Sequence, residues 1–168
     1  DSSNRGTRFW VGYGHHQNFG IGNSQDMILY FSAEQAANVT VRLNGTGYVR
    51  EYSVPANSVI TSQLLPKTGI YDSRLLVDGK STRGISIESD VPIVAYAHIY
   101  GSASSGATML MPVETWGYSY ITLNSKQNYA SNCFSWFYVV ASEDNTLVEI
   151  TPAATTRTGY HIAGVPYT

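Results

Sequence analysis

Hydrophobic and polar residues alternate along most of the chain, as they do in β-strands. In residues 38–43 (NVTVRL), the valines and the leucine fall on one face, while Thr40 and Arg42 fall on the other. Residues 84–89 (GISIES) and 146–151 (TLVEIT) alternate in the same way. Helical periodicity is nearly absent, and its one candidate, residues 32–37 (SAEQAA), is too short to form a stable helix without tertiary packing.

Four further segments are apolar on both faces, which predicts strands that are covered on two sides. Turn signals rich in Gly, Pro, Asn and Asp separate the strand-like segments. Together these patterns predict an all-β fold, an antiparallel β-sandwich built of about ten short strands. The four apolar segments are 27–31, 92–100, 107–112 and 137–141, and the turn signals are at 44–45, 55–57, 66–69, 78–79 and 144–145.

Three pairs of segments resemble each other at a spacing of about 110 residues, which indicates a partial internal repeat. GTRFWVGY from Gly6 resembles GYSYITLN from Gly117, and Phe31 begins a stretch similar to the one that begins at Val140. Thr-Gly-Tyr also occurs at 46–48 and at 158–160. We therefore expect a first β-sandwich unit over residues 1–115. Residues 116–168 are expected to be the first half of a second, similar unit, either truncated or packed onto the first.

The composition narrows the class of protein. Only 13% of the 168 residues are charged and the net charge is −2, so the chain has no basic cluster to bind nucleic acid. No apolar run approaches the roughly 18 residues of a membrane span, so no membrane insertion is expected. Thirteen tyrosines and fifteen glycines are typical of an extracellular β protein. The single cysteine, Cys133, excludes an intrachain disulfide and is interpreted as a small buried residue.

Adjacent histidines in GHHQ (residues 14–17) raise the question of a metal or catalytic site. Consecutive strand residues point to opposite faces, so His15 and His16 share a metal only if the chain turns there, with His98 as a further ligand. No HExxH, CxxC or calcium-loop motif occurs. Glu143 and Asp144 form a weak candidate calcium turn, although turn chemistry explains them better. We therefore expect no cofactor and no catalytic residues.

Two loops at strand ends are the candidate contact surfaces, because binding sites are usually carried by loops on a rigid scaffold. They are GHHQ (14–17) and YGSASSG (100–106), and both place polar groups beside aromatic residues, a mixture suited to glycan or protein ligands. The candidate ligand-binding residues are His15, His16, Gln17, His98, Tyr100, Ser102 and Ser104.

Several stretches taken together resemble one known family. GTRFWVGYGHHQ, SDVPIVAYAH, ATMLMPVETWG and VVASEDNTLVEITP, in this order, are similar to the IgG-Fc-binding-protein N-terminal domain family, in the form found in large surface proteins of Bacteroidota. The resemblance covers nearly the whole chain and implies an extracellular all-β module, one of several in a long protein. It also implies an association with type IX secretion and with gliding or adhesion. No residue pattern carries Fc binding over to this chain.

The sequence thus predicts a non-enzymatic, cell-surface module for adhesion or ligand binding. Its partners would be a glycan or protein on another surface and the neighbouring modules of the same chain. Two alternatives remain: a structural spacer, stalk or filament module, and a metal-dependent hydrolase that uses the His15/His16 loop.

Overall fold

The chain folds as an antiparallel all-β protein, which confirms the predicted fold class. The computed structural model describes residues 3–15, 24–101, 104–128, 134–157 and 159–168. The regular elements in these ranges are seven strands and two single 3-10 turns. The strands are β1 (Gly6–Gly12), β2 (Asp26–Ala33), β3 (Ala37–Leu43), β4 (Val49–Val54), β5 (Ser58–Thr61), β6 (Gly84–Tyr100) and β7 (Ser105–Met109), and the turns are Gly69–Tyr71 and Val113–Thr115.

The long strand β6 organises the sheet. Its first half lies between β1 and β3, so that Ile87 is paired with Phe9 on one side and Val41 on the other. Its second half lies between β2 and β7, where Tyr96 is paired with Tyr30 and Met109. All of these pairings are antiparallel. One 17-residue strand therefore replaces the two short strands that the sequence predicts at 84–89 and 92–100. This is one reason why the structure has seven strands in the described ranges and not the predicted ten or so.

The sheet is nearly closed into a barrel-like shape. The strand order is β4-β3-β6-β2-β5, and the two outermost strands of this path, β4 and β5, also contact each other. Closure leaves one enclosed interior, which receives every second residue of the central strands. The core residues run from Phe9 to Leu110, and the largest fully buried side chains among them are those of Phe9, Tyr13, Met27, Leu29 and Phe31. Each buried side chain of this size contributes about 1.5–3 kcal/mol.

The outer face of the sheet is not covered, contrary to the expectation from segments 27–31 and 92–100. In β2 the burial alternates strictly, with Met27, Leu29 and Phe31 inside and Ile28 and Tyr30 only half-buried. The sheet wraps around a single core, and Ile28 and Tyr30 on its outer face keep part of their surface exposed. The apolar residues on both faces therefore do not indicate a second covering layer.

All five predicted turns are present, and each contains a residue with positive φ: Gly45, Asn57, Gly69, Gly79 and Asn145. Glycine and asparagine adopt this conformation at little cost, which is why these residue types mark the turns. Residues 32–37 form no helix, because β2 continues through Ala33 and β3 begins at Ala37. In the described ranges no helix is long and apolar enough to cross a membrane.

The described residues after Val113 differ from the first part of the chain. None of them is buried, and their only strand-like pairing is an isolated bridge between Ile150 and Tyr167. The strands expected at 137–141 and 146–151 are therefore not formed, because a strand needs a partner for its backbone hydrogen bonds. The two-unit division at residue 115 stays a prediction.

Candidate functional site: an aromatic cleft beside His15

A cleft of about 340 Å³ opens at the end of β1, where a distant aromatic segment meets the sheet. Gly14 and His15, which follow β1, form one wall, and the start of β7 forms the opposite wall. Inward-facing residues of β6, Ala97 and Ile99, form the floor. The full lining is Val11, Gly12, Gly14, His15, Met27, Ala97, Ile99, Gly106, Ala107, Thr108, Trp136 and Tyr138.

Two glycines let the aromatic segment approach the backbone of β1. A Cβ atom on Gly14 would lie 2.1 Å from Cη2 of Trp136, and one on Gly12 would lie 2.8 Å from Cε2 of Tyr138. Real Cβ atoms essentially never come this close to a neighbour, so both positions require glycine in this arrangement. The Tyr138 hydroxyl also donates a hydrogen bond to the Gly12 carbonyl oxygen (3.3 Å).

The aromatic rings are held in fixed mutual orientations. Trp136 and Tyr138 are stacked, with ring centroids 5.5 Å apart and an angle of 22° between the planes. His15 meets Trp136 edge-on at 5.3 Å and 79°, a geometry that aromatic pairs favour. Trp136 and Tyr138 remain 39% and 40% exposed, so a ligand can reach both rings.

The His15 ring lines the cleft, but one of its nitrogens is shielded from solvent. Its Nδ1 atom is buried and has no hydrogen-bond partner among the described residues. Burial lowers the pKa of His15 below its usual value of 6.5, since desolvation disfavours the imidazolium. A hydrogen bond to the Leu75 backbone acts in the opposite direction, and the charge of Arg74 lowers the pKa further. His15 is therefore neutral at pH 7.

Burial also raises the pKa of Tyr138, because its hydroxyl end is packed against Gly12 while the ring is partly exposed. The hydrogen bond to the Gly12 backbone partly offsets this rise. Tyr138 is therefore an uncharged phenol at neutral pH, and it contributes apolar surface together with a fixed hydroxyl group.

A second cleft of about 470 Å³ adjoins the same aromatic pair. The Asn124 side chain fixes this region, since its Nδ2 donates to Ser135 Oγ and to the Trp136 carbonyl oxygen, each at 3.0 Å. The lining is His15, Leu123, Asn124, Ser135, Trp136, Phe137 and Tyr138. Trp136, Tyr138 and His15 therefore border both clefts.

The structure separates His98 from His15. Residues 97 and 99 of β6 line the cleft, so His98 lies on the outer face of the sheet. There its Nε2 is 2.7 Å from Ser105 Oγ and its Nδ1 is 3.4 Å from the Tyr30 hydroxyl. Its ring is 4.9 Å from that of Tyr100. His98 and Tyr100 thus belong to an outer aromatic cluster.

The loop that precedes β7 reaches the cleft only at its end, through Gly106. Ser104 Oγ accepts a hydrogen bond from Gln25 Nε2 (2.6 Å), and the Ser104 carbonyl oxygen accepts one from Gly101 N (2.8 Å). Ser104 therefore closes the loop. The two predicted loops border one cleft through His15 and Gly106.

Four residues of the sequence predictions, His16, Gln17, Ser102 and Cys133, lie outside the described residues. Glu143 and Asp144 lie in an exposed turn, in which Thr146 Oγ1 donates to the Glu143 carbonyl oxygen (2.8 Å). Within the described ranges, no group of three or more His, Cys, Asp or Glu side chains is placed to hold a metal ion.

Trp136 and Tyr138 are the site residues that the sequence reasoning missed. The sequence did contain a signal, because the glycines at 12 and 14 and the aromatics at 136 and 138 share the same two-residue spacing. In extended chains this spacing places both members on one side, so two aromatics can lie on two glycines. The long separation along the chain hid the match.

The fold and cleft define an all-β module with a ligand-sized aromatic recess. Residues 106–168 match the family model described as IgGFc binding protein, so the family resemblance inferred from the sequence is confirmed over this part of the chain. This match includes Trp136 and Tyr138. No curated protein matches the chain.

A solved structure, the crystal structure of Thermotoga maritima 1070, is similar to part of the chain. The identity is 18%, the match covers 66% of this chain and 95% of that chain, and the TM-score is 0.39.

Proposed function

We propose that this chain is a non-enzymatic, extracellular ligand-binding module of a larger surface protein, and that it serves adhesion. The family match and the tyrosine- and glycine-rich composition support an extracellular binding module. Type IX secretion, gliding and an origin in Bacteroidota are further expectations that rest on the resemblance alone.

The observation that carries the proposal is the aromatic cleft. The two clefts that the rings of Trp136 and Tyr138 border have volumes of about 340 and about 470 Å³. Both volumes fall in the range of ligand sites, about 300–1,000 Å³. Trp136 and Tyr138 are packed against Gly14 and Gly12 yet remain partly exposed. The polar groups in the linings come from Thr108, Asn124 and Ser135. Rigid aromatic anchors next to a few placed polar groups are typical of binding sites.

A combined glycan and host-protein array tests the proposal. We expect at least one ligand to bind the wild-type chain and to lose most of its signal with Trp136→Ala. The matched control is Tyr118→Ala, which removes a fully exposed aromatic side chain (108% relative exposure) from the same part of the chain. Ligands that bind both variants equally, or no ligand at all, would contradict a binding role for this cleft.

A role as a spacer between neighbouring modules is the second candidate, and exposed apolar side chains favour it. Ile121, Leu123, Leu147 and Tyr160 are between 81% and 97% exposed, and surfaces of this kind commonly serve as contacts. A spacer would give no ligand signal that depends on Trp136. A hydrolase that uses the His15/His16 loop would instead turn over its ligand during the same assay.

A further inference from the structure

We propose that the aromatic cleft beside His15 binds a neutral carbohydrate. This inference rests on the proposed function and names the class of its ligand. A sugar ring has an apolar C–H face and a rim of hydroxyl groups, so it needs aromatic surface together with a few hydrogen-bonding atoms. The cleft provides both.

The aromatic surface comes from Trp136 and Tyr138. The two rings are stacked, and they remain 39% and 40% exposed, so each ring still offers part of its apolar surface to a sugar. Gly12 and Gly14 support them from below, because the rings fill the space that Cβ atoms would occupy. The rings are therefore positioned before the ligand arrives, which lowers the entropic cost of binding.

The polar contacts come from groups around these rings. Thr108 lines the first cleft, where it is paired with the inward-facing Ala97, and Asn124 and Ser135 line the second cleft. Hydroxyl and amide groups can both donate and accept hydrogen bonds, as the hydroxyl groups of a sugar do.

The lining of the two clefts carries no charged side chain among the described residues, and this favours a neutral ligand. The described residues that line the two clefts include no Asp, Glu, Lys or Arg. A sulfated or sialylated glycan, or a charged peptide, would enter this site without a counter-charge and would lose hydration. A neutral oligosaccharide loses much less hydration free energy when it enters the cleft.

The test is the affinity of the full chain for neutral oligosaccharides of hexose and N-acetylhexosamine units, measured by titration calorimetry after an array screen. Sialylated and sulfated counterparts and immobilised proteins form the other arms of the screen. We expect a neutral oligosaccharide to bind and Trp136→Ala to weaken it at least about tenfold. Trp136→Phe should retain most of the affinity, and Tyr118→Ala should leave it unchanged.

Two substitutions of Thr108 test a polar contact independently of Trp136, because its side chain lines the first cleft. Thr108→Ser keeps the hydroxyl group and should stay within about twofold of the wild type, whereas Thr108→Val removes it with little change of shape and should lose about fivefold. Circular dichroism and the thermal midpoint verify that each variant is folded. If Trp136→Ala does not fold, the Thr108 pair and Trp136→Phe still decide the result.

The outcomes separate this inference from the proposed function. If a protein or a charged glycan binds in a Trp136-dependent manner and no neutral glycan does, the carbohydrate assignment is overturned while the binding function stands. If nothing binds in a Trp136-dependent or Thr108-dependent manner, both are overturned. Equal affinities of Thr108→Val and Thr108→Ser would overturn the polar contact assigned to Thr108.

Discussion

Single residues set the geometry of the cleft, and Gly14 shows how. It is buried directly under the edge of Trp136, and the side chain of even an alanine would occupy the place of the indole ring. The sequence predicted that Gly12 and Gly14 allow a turn. Their structural role is a close approach between distant segments, which no local pattern could reveal.

Gly14→Ala tests this close approach. The new Cβ would lie 2.1 Å from Trp136 Cη2, so the indole must move and overpacking should cost about 1–3 kcal/mol of stability. Ligand affinity should fall about tenfold as the ring pair is displaced. Gly47→Ala is the matched control, because nothing lies within 4 Å of its added Cβ atom. Equal denaturation midpoints and affinities for the two variants would contradict the packing role of Gly14.

The protonation of His15 predicts how ligand binding depends on pH. The neutral imidazole packs edge-on against Trp136 and its pKa lies below 6.5, so ligand affinity should be constant above that pH and should fall at lower pH, where a charged ring would disturb this packing. Among the described residues, the charged group that acts on His15 is Arg74, which stays ionised in this window. Arg74 is paired with Asp72, and the hydrogen bond from Arg74 lowers the pKa of that carboxyl group.

Titration calorimetry between pH 5 and pH 8 measures this profile. His15→Asn should remove the fall at low pH, because an amide does not titrate. A fall that persists in this variant would assign the pH dependence to another group, and a fall centred above pH 6.5 would contradict the lowered pKa of His15.

At the level of elements, strand β6 holds the sheet together. The sequence predicted its two halves as separate strands because Asp90 and Pro92 resemble a turn. The structure keeps them in one strand, with Asp90 accepting hydrogen bonds at 2.8 Å from the backbone N and the Nδ2 of Asn38. Pro92 causes no break, since proline is tolerated where no partner strand needs its N–H.

Substitution in β6 should therefore be far more damaging than substitution in the exposed C-terminal segment. Ile87 is fully buried between β1 and β3, so Ile87→Ala should cost about 2–5 kcal/mol. Ile121 is 89% exposed, and Ile121→Ala should stay within about 0.5 kcal/mol. Urea denaturation of both variants measures the difference. A comparable loss for Ile121→Ala would place it in a packed core.

At the level of the whole molecule, alternation predicted the all-β class and local chemistry predicted the turns, because both depend on near neighbours in sequence. Alternation also placed Val39, Val41, Ile85 and Ile87 in the core, as the structure confirms. The pairing of β1 with β6, and that of Gly12 and Gly14 with Tyr138 and Trp136, depend on contacts between residues far apart in the sequence, 126 positions in the case of Gly12 and Tyr138. Single-sequence patterns carry little information about such contacts. The sequence therefore predicted the loop with His15 as part of the site, but not Trp136 and Tyr138.

The most direct test of the account is a titration of the ¹⁵N-labelled chain with a neutral oligosaccharide selected on the array, followed through the indole N–H signals. The chain has three tryptophans, Trp10, Trp116 and Trp136, and only Trp136 borders the clefts. We predict that its signal shifts in a saturable manner while the other two stay in place. A saturable shift of Trp10 or Trp116 without Trp136, or no shift at all, would contradict the assignment of this cleft as the ligand site.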